Sequence, residues 1–254
     1  LRADLERDKA MDLETYLHVW EGDYQRIGEG AYYAKELAKV RADGRVDEFP
    51  IEREPPIHTG WDLGIDDCTA IWAAQVVGMQ VRLIDYYEDR GEDAKHYAQW
   101  CLDHGYNTGE ALLPHDAGIR DLGQLLSYEE HLNRAGLQNT RVLARTTDLM
   151  GDIQRTRSFL AKCYFRDVPE VQEGLKVLGA YRVEMDTKLR TPKPRPIHDW
   201  ASHGSDAFRQ LAVGLIPEGR TPYSGIRINL PGERARLRGR GPRRYRSALA
   251  SQRR

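Results

Sequence analysis

Residues 57–88 read IHTGWDLGIDDCTAIWAAQVVGMQVRLIDYYE, and the fold class follows from how this stretch divides. IHTGWDLGI (57–65) is strand-like and ends in a Gly-containing turn. TAIWAAQVV (69–77) and QVRLIDYYE (80–88) are two apolar stretches separated by Gly78-Met79, a hairpin signal. Three antiparallel strands in succession are therefore expected. Beyond them, helix and strand alternate. DAKHYAQWCLDHG (93–105) reads as a helix with Ala94, Tyr97 or Ala98, and Cys101 inward and Gly105 as its stop. EALLPHDAG (110–118) is a short buried strand running into a loop. A helix (125–136), a strand (141–146), a helix over 149–163 with Ile153, Thr156 and Leu160 on one face, and a short helix (168–179) follow. AYRVEMD is a strand that leads into a basic, Pro-rich excursion, and 199–215 is a final amphipathic helix. This order predicts an α/β domain with a mixed central sheet flanked by helices.

On the N-terminal side, residues 1–50 read as helix, loop, helix, and Pro50, Pro55 and Pro56 make FPIEREPPIH an extended linker. The expected organisation is a helical segment over 1–50, a domain over 51–220 and a basic, flexible tail over 221–254. The chain has a formal net charge of −1, from 38 Lys+Arg against 39 Asp+Glu. Its distribution is uneven: residues 231–254 hold nine Arg and one Glu, a local +8, which leaves −9 on residues 1–230. No uncharged apolar run approaches the roughly 18–20 residues of a membrane helix, so no membrane partner is expected. The N-terminus has no apolar core of a secretory signal. Cys68, Cys101 and Cys163 lie far apart without C-x-x-C spacing, which argues against a disulfide framework or a Cys-based zinc site and suits a reducing compartment. The chain opens on Leu1, as an excised piece of a longer protein would.

Three carboxylates sit where chemistry could use them. Asp62 ends an apolar strand between Trp61 and Leu63, a costly place for an acid unless it is paired, binds a cation or caps the turn before Gly64. Asp116 follows another apolar strand, and strand ends are where open α/β sheets bind ligands; the alternative is a turn Asp before Gly118. In HDWASHGSDAFRQLAVG, a helix would place Asp199, His203 and Asp206 at i, i+4 and i+7, on a face that is either solvated or directed at a metal. Acids on separate elements could converge as an oxygen site for Mg²⁺ or Mn²⁺ rather than Zn²⁺. Two such ions about 3.5–4 Å apart can serve phosphodiester cleavage.

This order of elements, with Asp62 in the first strand, Asp116 after the fourth and His203-x-x-Asp206 on the last helix, resembles the ribonuclease H-like fold. More narrowly, it resembles the nuclease domain of the large terminase subunit of tailed double-stranded DNA bacteriophages. W-D-L-G (61–64) and H-x-x-D (203–206) match that family's first and last metal-binding motifs. VWEGDY (19–24) and GAYYAKEL (30–37) look like its junction between motor and nuclease. The resemblance implies a metal-dependent endonuclease that cleaves concatemeric viral double-stranded DNA during genome packaging, with two divalent cations, Mg²⁺ or Mn²⁺. It implies Asp62, Asp116 and Asp206 as catalytic metal ligands, His203 as a further ligand or a partner orienting Asp206, and Asp66 as an acid that could bind through water or lie in an exposed turn. It also implies the terminase small subunit and the portal protein as partners, and a location in the host cytoplasm, transiently at the viral procapsid. One departure stands out. No G-x-x-x-x-G-K-[ST] motif is present, so residues 1–50 would lead from an ATPase motor that this chain does not carry, and no ATP hydrolysis is expected from it.

DNA needs cations along the phosphate track. Lys188, Arg190, Lys193 and Arg195, in the acid-free loop TKLRTPKPRP immediately before the final helix, are the candidates, with Arg145, Arg155 and Arg157 behind them. The Arg-rich tail could grip DNA or an acidic partner. Competing readings are a ribonuclease H-like resolvase or transposase, a non-catalytic DNA- or portal-binding module, and an actin-like ATPase that uses the Asp-Leu-Gly turn as a phosphate loop.

Overall fold

Apolar runs in the 57–90 region build the centre of the sheet. β2 (Ile57–Asp62), β3 (Cys68–Val77) and β4 (Gln80–Arg90) are three antiparallel neighbours, with β3 buried on both faces. Gly78 turns the β3–β4 hairpin with φ +60° in a two-residue loop, a conformation that a β-carbon disfavours. The computed structural model describes residues 30–64, 68–120, 125–186 and 191–215. All of these lie in the compact unit Leu1–Gly219.

The remaining strands extend this centre on both sides. β5 (Ala111–Leu113) runs parallel to β2, and β6 (Thr140–Val142) parallel to β5. On the other side, β7 (Cys163–Arg166) runs parallel to β4, and the two-residue β1 (Val46–Asp47) parallel to β7. The seven-stranded order is β1-β7-β4-β3-β2-β5-β6, the expected mixed sheet. A separate antiparallel ribbon pairs β8 (Val183–Asp186) with β9 (Thr191–Pro196).

Six α-helices are described: α1 (Ala34–Ala42), α2 (Ala94–Asp103), α3 (Tyr128–Arg134), α4 (Leu149–Leu160), α5 (Pro169–Ala180) and α6 (Ser202–Leu215). Their starts have local causes. Asp93 accepts the His96 amide at 2.9 Å ahead of α2, Ser127 and Glu130 form a capping box on α3, and Pro169 opens α5. The inward residues expected for α2 (Ala94, Tyr97, Ala98, Cys101) and for α4 (Ile153, Thr156, Leu160) are all buried.

The helices cover both faces of the sheet. One face packs Trp61, Ile71, Ile84, Tyr97, Leu113 and Leu132. The other packs Trp72, Phe165, Phe208, Phe159 and Leu175, with α6 lying across β2 and β3. Residues 30–47, read from sequence as part of a connecting segment, contribute Tyr32, Tyr33, Leu37 and Val40 to that second core. The buried Arg45 guanidinium ties them to α4 and β7 through the carbonyls of Leu160 (2.8 Å) and Cys163 (2.7 Å).

Two local readings differ. Residues 163–166 form β7 rather than the end of a helix and a loop, because a parallel strand slots them between β4 and β1. Part of the Pro-rich excursion is strand β9, paired with β8 in a register that shifts between Val183 and Met185; an irregular ribbon edge is where strands tolerate proline's missing donor.

Candidate metal centre

The site is built where α6 meets the end of β2. Gly60 faces α6, and a β-carbon there would stand 2.6 Å from the Ala207 carbonyl oxygen and 2.6 Å from Leu211 Cγ. Its absence lets the helix settle directly on the strand. Trp72 Nε1 donates to the Gly204 carbonyl at 2.9 Å and pins the first turn of α6. Two residues beyond Gly60 on the same face of the strand comes Asp62, and one residue before Gly204 comes His203. Their side chains meet: His203 Nδ1 lies 3.0 Å from Asp62 Oδ2, a hydrogen bond across 141 residues of sequence.

Asp206 stands one turn further along α6. Its Oδ1 accepts from Tyr181 Oη at 3.2 Å and from Arg209 Nη2 at 3.1 Å. Burial pushes the Asp62 carboxyl above the ordinary carboxylate range, and the charge of Asp206 adds to the shift. The His203 hydrogen bond and the Arg209 charge oppose it. Burial likewise raises the Tyr181 phenol, reinforced by Asp206. Arg209 has its pKa above the ordinary arginine value: burial works against its charge, but Asp206 together with Tyr181 and Tyr33 more than offsets it.

Asp116 lies in a short 3-10 turn, His115–Gly118, directly after β5. Because β5 runs parallel to β2, with Gly60 beside Leu112, both acids emerge at the same end of adjacent strands. Asp116 is exposed and lines a 480 Å³ cavity with Leu63, Gly64, Tyr128 and His131. Among the described residues, no three His, Cys, Asp or Glu side chains are gathered closely enough to hold a metal ion as they stand. The donor chemistry nevertheless fits a hard divalent cation: the Asp62 carboxylate, whose ionisation burial and the charge of Asp206 make costlier, Asp206 itself, an imidazole beside them, and a third carboxylate at the next strand end.

The other candidates separate. Asp66, Lys188 and Arg190 lie outside the described residues, as do VWEGDY and the Arg-rich tail. Lys193 Nζ and Arg195 Nε both bond Glu184, each at 2.5 Å, across the β8–β9 ribbon. Asp199 precedes α6 rather than joining its polar face. It accepts the Ala201 amide at 3.0 Å and pairs with Arg182 at 3.0 Å. Sequence reasoning did not single out Arg209, Tyr181 or Asp152, which hold Asp206 and its surroundings. The i, i+3 spacing of Asp206 and Arg209 was the available signal.

No protein-family model matches the chain, and no curated protein matches it. Among solved structures, it is similar to the large terminase of the thermophilic bacteriophage D6E, with a TM-score of 0.51 and 14% identity, covering 72% of this chain and 45% of that one. The same terminase in complex with ADP is similar with a TM-score of 0.50 and 14% identity, covering 73% of this chain and 45% of that one. The nuclease domain of the bacteriophage SPP1 large terminase with bound Mn has a TM-score of 0.46 and 17% identity, covering 66% of this chain and 94% of that one. The chain therefore spans less than half the length of the D6E protein and has the ribonuclease H-like fold found there.

Proposed function

We propose that this chain is the nuclease portion of a phage large terminase, an endonuclease that uses Mg²⁺ or Mn²⁺ to cut concatemeric double-stranded DNA during genome packaging. The observation that carries the reading is the Asp62–His203 hydrogen bond with Asp206 one turn away, at the end of a central strand in a terminase-like fold. A divalent cation would supply Lewis-acid polarisation of the scissile phosphate and a local positive charge. Asp62 and Asp206 would hold the first of two cations, with Asp116 reaching in from the end of β5 to complete the set. His203 orients the Asp62 carboxylate through Nδ1. Tyr181 and Arg209 both hold Asp206 at Oδ1 and fix its carboxylate on α6. Asp66 would reach the site through water.

Lys188, Arg190, Lys193 and Arg195 would carry the DNA backbone. For Lys193 and Arg195 this means exchanging Glu184 for phosphate, which makes the grip salt-dependent. The small subunit and the portal protein are the proposed partners, with the host cytoplasm and the procapsid as the place of action. The test is cleavage of supercoiled plasmid by the whole chain with Mn²⁺ or Mg²⁺. Wild type should nick and linearise it, while Asp62→Ala and Asp206→Ala should not. If both variants cut like wild type, the site is elsewhere.

A further inference from the structure

Arg209 is a buried arginine one turn beyond Asp206 on α6, with a side chain only 10% exposed. Its Nη2 and Nε lie 3.1 and 3.3 Å from Asp206 Oδ1, and its Nη1 lies 3.8 Å from Asp152 Oδ2. Asp152 belongs to the first turn of α4 and is 8% exposed. It is held in turn by Thr146 Oγ1 and by Arg155 Nη1 at 3.1 Å. One guanidinium thus serves two acids on two different helices. A carboxylate withdrawn from water persists only when something compensates its charge. For the buried Asp152, and for Asp206 with its side chain 27% exposed, the protein itself supplies that compensation.

We infer that Arg209 is a resident counter-cation: a positioning residue that holds Asp206 in the metal-free protein and sets how tightly the centre takes a divalent ion. The inference rests on the metal-site reading above. A cation entering at Asp206 meets a carboxylate already shared with a fixed positive charge, and that charge repels it. Even with water-like screening, a unit charge about 6 Å from a divalent ion, roughly the span across a shared carboxylate, changes affinity on the order of tenfold. Asp152 acts with the opposite sign. It draws part of the guanidinium's charge toward α4, so removing its own charge leaves Arg209 more fully on Asp206. A purely structural ion pair predicts something different: disturbing either residue loosens the helix packing and weakens metal binding in both cases.

The experiment is calorimetric titration of Mn²⁺ into the whole chain, with melting temperature measured without metal. Wild type should bind Mn²⁺, and absence of binding would overturn the metal-site reading together with this inference. Arg209→Gln should melt lower without metal yet bind Mn²⁺ about tenfold or more tightly. Arg209→Lys keeps the charge and should bind like wild type. Asp152→Asn should bind more weakly. If wild type binds but folded Arg209→Gln binds no more tightly, the counter-cation role is wrong while the metal site stands. Should Arg209→Gln fail to fold, Asp152→Asn decides together with its metal-free melting temperature. Weaker Mn²⁺ binding at an unchanged melting temperature supports the role, because loosened packing would lower both. Equal or tighter binding, or weaker binding with a matching loss of melting temperature, overturns it.

Discussion

Gly60→Ala tests whether the close seating of α6 on β2 assembles the centre. The new methyl would lie 2.6 Å from the Ala207 carbonyl oxygen, a backbone atom that cannot rotate aside, and 2.9 Å from the Leu211 amide nitrogen. Ordinary contact begins at 3.4 Å, so strand and helix must part by 3.4 − 2.6 = 0.8 Å at this point. Overpacking of this kind costs about 1–3 kcal/mol, or roughly 2–10 °C in melting temperature for a domain of this size. The functional effect should be larger than the stability effect. The same displacement carries His203 away from Asp62, and their 3.0 Å bond has little margin before it is lost. A misplacement near 1 Å costs on the order of 100-fold in rate. Gly214→Ala is the matched control. It sits at the other end of α6, where the added methyl meets the Leu112 side chain rather than backbone. The measurements are thermal melting and Mn²⁺-dependent plasmid nicking on both variants. Gly60→Ala should melt lower and nick about 100-fold more slowly, while Gly214→Ala should lose stability with much less loss of nicking. Equal nicking losses in the two variants, or wild-type nicking by Gly60→Ala, would refute the reasoning.

Trp72→Phe removes the indole donor to the Gly204 carbonyl, which keeps only its place in the helical ladder, an expected loss of about 0.5–1.5 kcal/mol seen as a lower denaturation midpoint with unchanged slope. Glu184 has its pKa lowered to about 2, chiefly by Arg195 and then Lys193. A depressed carboxyl pKa stabilises the fold above its unfolded value and loses that contribution as pH falls, so the β8–β9 pairing should weaken from about pH 4.5 down through about 2. A carboxyl chemical-shift titration with a midpoint near 4.5 would count against this pairing. Glu184→Gln should release Lys193 and Arg195 and tighten duplex DNA binding, with a salt dependence steeper by about one to two counterions; unchanged affinity and slope would remove the β9 cations from the DNA track.

The parts of the fold legible in sequence are those whose cause is local. The apolar stretches 69–77 and 80–88 with Gly78-Met79 between them need no distant partner to be recognised, and neither does the Gly105 stop of α2. β7 is different. Its residues, CYFR, are too few to show a period, and they form a strand because β4 and β1 flank them, contacts more than 70 residues away in the chain. β9 is disguised by proline, which argues against a strand except at an edge or a bulge, and this ribbon's register is irregular between Val183 and Met185. The site divides in the same way. Asp62, His203 and Asp206 could be named from their positions at a strand end and on one helical face. That His203 would bond Asp62 depends on the close packing at Gly60, and this is a tertiary fact. Asp199 shows the converse: the periodicity was extrapolated one turn past the point where α6 begins at Ser202.

Net charge conceals what the centre has to solve. Asp62, Asp152 and Asp206 are carboxylates drawn into one region of an acidic body, and the first of them ionises reluctantly because of burial and the charge of Asp206. A folded-state carboxyl pKa above the unfolded value means that an ionised Asp62 at neutral pH opposes folding, with relief as pH falls through the raised value. The protein answers with His203 at Asp62 and with Arg209 shared between Asp206 and Asp152. These leave Asp62 with an imidazole rather than a fixed cation as its direct partner. A divalent ion at Asp62 would remove the remaining penalty, and by linkage its binding would raise the melting temperature. On the proposed metal site, the cost carried by the metal-free fold would be released on binding and add to affinity, and Arg209 would set how much of it is held back.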